Sequence, residues 1–487
     1  MLVGAVHIEG AIMIRPGDRR IVSVLVVAAT LFGVSFFLRP LVLRVGEAAV
    51  EPQAGLERLR ARMGGFTPTG AGVTVLQVEA AGKQGWTLGG TSDRYRGVLV
   101  QPVGPTSEPS PHASMVANAM LRLAPGIERI YTASSSWLMT EVLRAGTGEP
   151  PRPLPPGTSV AFCAWVGSAG GGDDDVLRRA DFLVQRAPFV LVGGYTGQPL
   201  MGAMYNGIAV GEAKDRPNRG TSDKVDGPGR CKPDLVTSHG AASPATGEVA
   251  GAAAMLIEAA GRLPRLKAHP EAGRPQTVKA TLLAGAVRDA GWTNLAVEKK
   301  ATATPSDSDS DEAGDADGRV SRHPLDRSVG AGRLDVARAV GILAAGTPEA
   351  EATGGDSGWK AIEWSNADGE ATREIVVPIR LERAVGELAI VACWNRVVDN
   401  PVEWRLSNVD LAVERADDLA EVWSRSGNVA SRSVVDNVEM ILLRQVAAGA
   451  YRIRVTLADG EAVPVSLAWL ASGPYAPPPG SAESGGG

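Results

Sequence analysis

The run from Gly229 to Ala260 constrains the fold of this chain more than any other part of its sequence. It opens with a Lys-Pro-Asp turn, continues through a short apolar strand at Leu235–Val236, and passes through a loop of small residues into a helix. From Val249 to Ile257 the residues are apolar or small on every side, which predicts a helix buried inside a domain. Gly251 and the alanines beside it would let neighbouring backbone approach closely. A buried helix that follows a strand is typical of an α/β fold.

Ser243 stands where the loop meets this helix, and Pro244 follows where the first helical residue is expected. Proline is favoured there because its missing amide would have no partner inside the helix. Two interpretations of Ser243 are open. As an N-cap, its hydroxyl would accept a hydrogen bond from a helix amide. As a nucleophile, it would use the field at the helix N-terminus, which favours developing negative charge.

The letters KPDLV, followed by AASPATGEVAGAAAML, resemble the nucleophile segment of the subtilisin-like serine proteases. Ser243 falls on the catalytic serine of that family. The resemblance extends from about Gly65 to Ala345. It implies an α/β domain with a parallel sheet and helices on both faces. It also implies a serine endopeptidase that acts on a polypeptide substrate and needs no cofactor or metal.

Two further segments resemble the places of the family's acid and histidine. GAGVTVLQVE, at 70–79, reads as a glycine turn and a buried parallel strand, and active-site residues lie at the carboxyl ends of such strands. Glu79 stands there, where the family has aspartate. PHASMVANAM, at 111–120, resembles the histidine segment and places His112 at the start of a helix. The resulting order of Glu79, His112 and Ser243 is the order of the subtilisin triad.

Simpler roles for these two residues stay open. Glu79 would then be a solvated residue at a strand end, and His112 a helix cap or surface residue. The helix that begins near His112 is expected to bury a face made of four apolar residues. They are Met115, Val116, Ala119 and Met120.

The segment FVLVGGYTG, at 189–197, corresponds to the strand and turn that carry the family's oxyanion-hole asparagine. Tyr195 occupies that position in the best register, so it is the oxyanion-hole candidate. SVAFCAWVG, at 159–167, and YNGIAVG, at 205–211, read as further strands of the sheet. Gln276–Asp289 is predicted to be an amphipathic helix, and GAGRLD, at 330–335, precedes a last helix that ends near Ala345.

Departures from the family's pattern support a second hypothesis, a pseudoprotease that keeps the fold and binds peptides or envelope components. The departures are Glu79, Tyr195, Ala241-Ala242 in place of Gly-Thr, and Gly247-Glu248 in place of Pro-x. A third candidate is the Ser-Glu-Asp arrangement of the carboxyl proteases, which the presence of His112 disfavours. His239, four residues before Ser243, is a rival general base.

The composition excludes some functions and sets the scale of the chain. Its 487 residues suggest two or three domains, and the net charge of −5 without a basic stripe argues against a nucleic-acid partner. Three cysteines are too few for a disulfide framework, so buried thiols are favoured over a Cys163–Cys231 bridge. Asp173–Asp175 could bind calcium, but acids that open a helix are explained more simply by its dipole. The protein is expected to be a monomer.

Residues 1–60 are interpreted as a signal peptide or membrane anchor with its linker. Ile21–Leu38 is eighteen residues without a charge, bracketed by arginines, and would span about 27 Å as a helix. The rest of the chain is therefore expected outside the cytoplasm, secreted or anchored. Met13 is a second possible start. Residues 61–346 form the predicted peptidase-like domain, and its acidic stretch at 302–318 is predicted to be a disordered insertion.

The C-terminal part changes to strand patterns after a polar linker at 348–358. Short apolar or alternating runs separated by turns predict an all-β sandwich over 356–472. The runs are Glu374–Leu381, Glu387–Cys393, Asn408–Val413, Met440–Leu443, Tyr451–Thr456 and Val465–Trp469. Their order resembles the jelly-roll modules that follow many secreted subtilisin-like proteases. Asp436, Asn437 and Glu439 could bind calcium or form a turn, and residues 473–487 read as a disordered tail.

Overall fold

The structure is a computed structural model that describes residues 54–474, apart from short gaps. The gaps are 81–84, 90–94, 96, 106, 213–220, 223–224, 228, 296–318, 349–352, 365–371, 401–402 and 417–425. The predicted anchor at 21–38, the insertion at 302–318 and residues 475–487 of the predicted tail lie outside the described residues. Gly473 and Pro474, the first two residues of that predicted tail, instead end a β-strand that runs from Val465 to Pro474. Among the helices that are described, none combines the length and the apolar character needed to cross a membrane.

A seven-stranded parallel sheet forms the centre of the first part of the chain. In chain order its strands are β1 (Thr74–Glu79), β2 (Leu99–Pro102), β3 (Arg129–Ser134), β4 (Thr158–Cys163), β5 (Val190–Gly194), β6 (Ile208–Gly211) and β7 (Leu235–Val236). Their spatial order is β2-β3-β1-β4-β5-β6-β7. β1 lies in the interior of the sheet and ends at Glu79, as the apolar run predicts. The predicted α/β architecture with a parallel sheet is confirmed.

Helices cover both faces of this sheet. They are α1 (Leu56–Met63), α2 (Pro111–Leu123), α3 (Asp173–Arg186), α4 (Ala242–Arg262), α5 (Pro275–Gly285) and α6 (Val336–Ala345). Because side chains alternate along a strand, Val75 packs in the same core as α2 and α4, whereas Leu76 and Val78 pack in the core that includes α3. Gln77 and Glu79 therefore share the face of Val75. That alternation places Glu79 on the side of the sheet where α2 and α4 lie.

The remaining short elements connect these strands and helices. They are the helical turns Gly64–Phe66, Ser135–Trp137, Leu138–Val142, Gly170–Gly172, Pro264–Leu266 and Pro270–Gly273, and the two-stranded ribbons of Thr221–Ser222 with Arg230–Cys231 and Val397–Val398 with Trp404–Arg405.

Three details of the helices differ from the sequence-based expectations. α4 begins at Ala242 with Ala241 as its N-cap, so Ser243 lies inside the first turn and is not the cap. Met115 is 45% exposed, because it lies on the outer side of α2 while Val116 and Met120 face the core. α5 ends at Gly285 and is buried along its whole length rather than amphipathic, since the C-terminal β-strands cover the side that does not face the sheet.

Two five-stranded sheets make up the C-terminal part. Its strands are β8 (Val320–Ser321), β9 (Ser357–Ile362), β10 (Glu374–Leu381), β11 (Val385–Trp394), β12 (Asn408–Arg415), β13 (Ser426–Gly427), β14 (Ala430–Ser431), β15 (Val438–Val446), β16 (Gly449–Asp459) and β17 (Val465–Pro474). One sheet has the order β8-β14-β12-β16-β10 and the other β9-β17-β11-β15-β13. Every predicted strand is present, and the strand pairs of the two sheets are antiparallel except for the parallel pair of β8 and β14. The jelly-roll connectivity stays a prediction.

The described residues from 54 onward form one compact unit. Strands β11 and β17 pack against α5, and apolar residues such as Val391 and Ala468 belong to the same core cluster as α4 and α6. The contact also contains buried ionic groups. Arg396 of the C-terminal part forms ion pairs with Asp181 and Asp226 of the α/β part.

The three cysteines lie in the protein interior, and the side chains of the candidate calcium ligands Asp173 and Asp175 accept hydrogen bonds from groups of the protein itself. All three cysteines are described, buried and free of disulfide bonds. Asp173 accepts hydrogen bonds from the Ser168 hydroxyl and the Ala169 amide, and Asp175 accepts from Arg179. Within the described residues, no cluster of three or more metal-ligating side chains occurs.

The acidic turn before β15 is also built into the protein interior. Asp436 accepts from the Cys231 amide, and Glu439 accepts from the Ser431 hydroxyl. The side-chain amide of Asn437 donates to the carbonyl oxygens of Tyr205 and Trp394. These contacts give the turn a structural role between the two parts of the chain.

Candidate active site

The end of β1 and the start of α2 bring Glu79 and His112 into contact. His112 Nδ1 lies 2.7 Å from Glu79 Oε2, so the imidazole donates to the carboxylate. The Glu79 side chain is 3% exposed and that of His112 is 39% exposed. The hydrogen bond with Glu79 raises the pKa of His112 above 6.5, and partial burial opposes it. Glu79 is thus a buried partner of the imidazole and not a solvated strand end.

Local contacts fix the turn that carries His112. Ser110 is the N-cap of α2, and its hydroxyl accepts a hydrogen bond of 3.2 Å from the Ala113 amide. Pro111 occupies the first helical position, where proline is favoured. His112 is therefore not the cap of its helix. Its ring lies beside the carboxyl end of β1, with Nδ1 on Glu79.

Close packing of α2 on α4 sets the relation of His112 to Ser243. A Cβ atom at Gly247 would lie 2.4 Å from the Val116 carbonyl oxygen, and one at Gly251 would lie 2.5 Å from the Met120 carbonyl oxygen. The two contacts are one helical turn apart on each helix, so the helices run side by side in the same direction. Counted back by one more turn, this register leads to His112 in the first turn of α2 and to Ser243 in the first turn of α4.

The structure places Ser243 at the carboxyl end of the sheet. A Cβ atom at Gly194, the last residue of β5, would lie 3.2 Å from Thr246 Oγ1 and 3.8 Å from Ala242 Cβ, both in the first turns of α4. Among the described contacts, no hydrogen bond within 3.5 Å joins the Ser243 hydroxyl to His112. Catalytic hydrogen bonds in unliganded structures are often long and tighten when substrate binds.

The N-terminus of α4 provides an electropositive environment for Ser243. Ala241 has no side chain that could cap the helix, and Pro244 has no amide. No side-chain cap therefore accepts a hydrogen bond from the backbone amides of Ala242 and Ser243 at this helix end. The helix dipole favours negative charge there. The Thr246 hydroxyl donates to the Ala242 carbonyl oxygen at 2.7 Å, so it stabilises the turn itself.

Tyr195 follows β5 directly and is 2% exposed. Its amide donates to the Val210 carbonyl oxygen at 2.8 Å, and its ring packs against Gly202. This burial puts the Tyr195 side chain in the protein interior, on the side of Gly202. The oxyanion role of Tyr195 stays a prediction.

His239, the rival base, belongs to a second histidine–carboxylate pair. Its Nε2 lies 3.6 Å from Glu248 Oε2, and both side chains are largely buried. Glu248 is one of the departures from the subtilisin-like pattern, and its pairing with His239 is not evident from the sequence. The 3.6 Å separation is longer than a hydrogen bond, whereas the pair of His112 and Glu79 is hydrogen-bonded.

Gln77, two residues before Glu79, also belongs to the site, although the sequence motifs do not include it. Its side-chain nitrogen donates to Glu79 Oε1 at 2.7 Å and to the Ala113 carbonyl oxygen at 2.8 Å. The sequence does contain a signal for this contact: Gln77 is a polar residue inside an apolar strand, and it lies two residues from Glu79, the spacing that puts both side chains on one face of the sheet.

Comparison with known proteins gives structural likenesses but no assignment. No protein-family model and no curated protein matches the sequence. A protease from Pseudoalteromonas arctica PAMC 21717 is 13% identical with a TM-score of 0.33, covering 58% of this chain and 94% of that one. MycP1 without its N-terminal propeptide is 15% identical with a TM-score of 0.31, covering 60% and 98%. MycP1 from Mycobacterium smegmatis is 16% identical with a TM-score of 0.29, covering 60% and 85%. These TM-scores are too low to establish a shared fold.

Proposed function

We propose that this chain is a serine endopeptidase of the subtilisin-like type that hydrolyses peptide bonds. The observation that carries the proposal is the hydrogen bond of 2.7 Å between His112 Nδ1 and Glu79 Oε2. With Nδ1 protonated and held by a buried carboxylate, the lone pair of the imidazole lies on Nε2. A helix register that continues from Gly247 and Val116 back to Ser243 and His112 would direct this base toward the serine.

In the proposed reaction Ser243 Oγ attacks the carbonyl carbon of the peptide bond, and its proton passes to His112 Nε2. Glu79 stabilises the imidazolium that forms, and Nε2 then gives the proton to the leaving amine. A water molecule attacks the resulting acyl-enzyme in the same way and releases the new carboxyl group. The Ser243 amide at the start of α4 is the expected backbone donor to the oxyanion, with Tyr195 as the side-chain candidate.

Glutamate can replace aspartate in this role because it carries the same charge and can orient the imidazole in the same way. Triads with glutamate occur on other folds. The extra methylene adds one rotatable bond, so the glutamate has to be fixed more firmly. The contact of Glu79 with His112 satisfies the requirement for charge and distance.

Covalent labelling by a fluorophosphonate probe tests the nucleophile. The test uses a protein of residues 50–472, called the parent, and its Ser243→Ala variant. We expect the probe to label the parent and not the variant, because the probe reacts with an activated serine hydroxyl. His112→Ala is expected to reduce the labelling rate by about 10³-fold or more, the scale seen when a triad member is removed. Mass spectrometry of the labelled peptide identifies the serine.

Two outcomes would redirect the assignment. Equal labelling of the parent and Ser243→Ala would exclude the nucleophile and favour the peptide-binding pseudoprotease. Full labelling of His112→Ala, together with its loss in His239→Ala, would transfer the general base to the pair of His239 and Glu248.

The pH dependence of the labelling rate tests the His112–Glu79 pair. The base must be neutral, so the rate is expected to rise with pH as His112 loses its proton. Since the hydrogen bond with Glu79 raises the pKa of His112, the midpoint should lie above 6.5. Glu79→Gln removes the carboxylate and should move the midpoint to lower pH while slowing the reaction. A midpoint that Glu79→Gln leaves unchanged would contradict the pairing.

A further inference from the structure

Gln77 is a buried polar residue in a strand that otherwise consists of core residues. β1 reads Thr-Val-Leu-Gln-Val-Glu, and Gln77 is fully buried. Burying an amide costs free energy unless its hydrogen bonds are satisfied. Its Oε1 atom has no hydrogen-bond partner among the described residues. The amide therefore keeps an uncompensated acceptor in the core, where an apolar side chain would avoid the cost.

The nitrogen of the Gln77 side-chain amide, in contrast, has two acceptors within hydrogen-bond distance. Nε2 donates one hydrogen to Glu79 Oε1 at 2.7 Å and the other to the Ala113 carbonyl oxygen at 2.8 Å. Both acceptors lack a proton, so rotating the amide by 180° would set its oxygen against two other oxygens. These contacts determine the orientation of the amide. They also connect β1 to the residue directly after His112.

The two oxygens of Glu79 thereby have different partners. Oε2 accepts from His112 and Oε1 accepts from Gln77, so rotation about the last side-chain bond would break both contacts. Aspartate has one fewer rotatable bond than glutamate, so a glutamate in this place needs the additional anchor. The Gln77 contact with α2 also limits movement of His112 relative to β1.

We propose that Gln77 is a positioning residue whose side-chain amide fixes the carboxylate of Glu79 against His112 Nδ1. The proposal rests on the function proposed above. Among the described hydrogen bonds, those of the Gln77 amide go to Glu79 and Ala113, so its effect on the reaction passes through Glu79.

The test compares Gln77→Met and Gln77→Leu with the parent protein. Both variants remove the amide, and their different shapes separate a packing defect from the loss of the hydrogen bonds. Thr132→Val is the matched control: Thr132 lies beside Gln77 on β3, is fully buried, and has a hydroxyl without a described partner. Thermal unfolding of each variant establishes that it is folded.

The first measurement is the titration of His112 by NMR of its imidazole nitrogens, assigned with His112→Ala. In both Gln77 variants the pKa of His112 is expected to move down toward 6.5, because a mobile Glu79 spends less time on Nδ1. Thr132→Val should titrate like the parent. In the Glu79→Gln background, replacing Gln77 should change the titration little, since the group that it positions is gone.

The second measurement is fluorophosphonate labelling, separated into the rate at saturating probe and the probe affinity. We expect the saturated rate to fall about 10- to 100-fold in the Gln77 variants, with affinity changed less than about twofold, since misplacing a catalytic group by about 1 Å has effects of this size. An unchanged or raised pKa of His112 would overturn the positioning role. A parent protein that fails to label would overturn the proposed function instead, while the titration would still decide the role of Gln77.

Discussion

Gly247→Ala is expected to lower the stability of the protein by about 1–3 kcal/mol, the usual cost of overpacking a close-packed interior. The added Cβ would lie 2.4 Å from the Val116 carbonyl oxygen, which is backbone and has no rotamer to change. Van der Waals contact begins nearly 1 Å further out, so α2 and α4 would have to separate by roughly that distance. The separation would move His112 away from Ser243, and labelling should slow by up to about 100-fold.

Gly261→Ala in the same helix is the matched control. A Cβ atom at Gly261 would meet no atom within 4 Å. Alanine also favours a helix more than glycine does, so this variant should be more stable by about 0.5–1 kcal/mol and keep the parent's labelling rate. Thermal and urea midpoints measure both changes. If Gly247→Ala unfolds at the same midpoint as Gly261→Ala, the close contact between the helices is not present in solution.

This contact gives a physical account of one departure from the resemblance. Gly247 occupies a position where the subtilisin-like pattern has proline, and that difference supported the pseudoprotease hypothesis. In the structure the missing side chain allows the helix of Ser243 to approach the helix of His112. Gly247 is therefore explained by the close packing of these two helices.

The presence of buried parallel strands and the apolar character of α4 could be predicted from the sequence because both depend on local patterns. A β-branched run that ends in Glu79 is a buried strand wherever it pairs, and an apolar run such as Val249–Ile257 has to be covered. The start of α4 was misplaced by two residues, since helix ends depend on backbone geometry that composition describes poorly.

The contacts of single polar residues could not be predicted in the same way. Gln77 and Glu79 are close in sequence, but the hydrogen bond from Gln77 to the Ala113 carbonyl oxygen depends on how α2 lies over β1. Arg396 and Asp181 are 215 positions apart. Tertiary packing decides which carboxylate binds Arg396, and the sequence alone does not single out Asp181 among the acidic residues.

Arg396 is expected to be the most important single ionic residue for the attachment of the C-terminal sheets. Its side chain is 1% exposed, and its guanidinium donates to Asp181 at 2.6 Å and to Asp226 at 2.7 Å. The guanidinium also lies 4.5 Å from the centre of the Tyr205 ring. Burial alone would raise the pKa of Asp226, but hydrogen bonds from Arg178 and Arg396 hold it below its ordinary value. Both acids thus depend on arginine partners.

Arg396→Leu should therefore cost about 3–5 kcal/mol, because it leaves the carboxylate of Asp181 buried without its counter-charge. Arg405→Leu is the control, since Arg405 and its partner Asp399 are both largely exposed, and its unfolding midpoint should change little.

The double variant Arg396→Leu with Asp181→Asn removes the uncompensated charge. The side-chain oxygen of the new asparagine can still accept a hydrogen bond from the backbone amide of Asn206. We expect the double variant to unfold at a higher temperature than Arg396→Leu. If the two unfold at the same temperature, lost packing against Tyr205, and not an unpaired charge, is what Arg396 prevents.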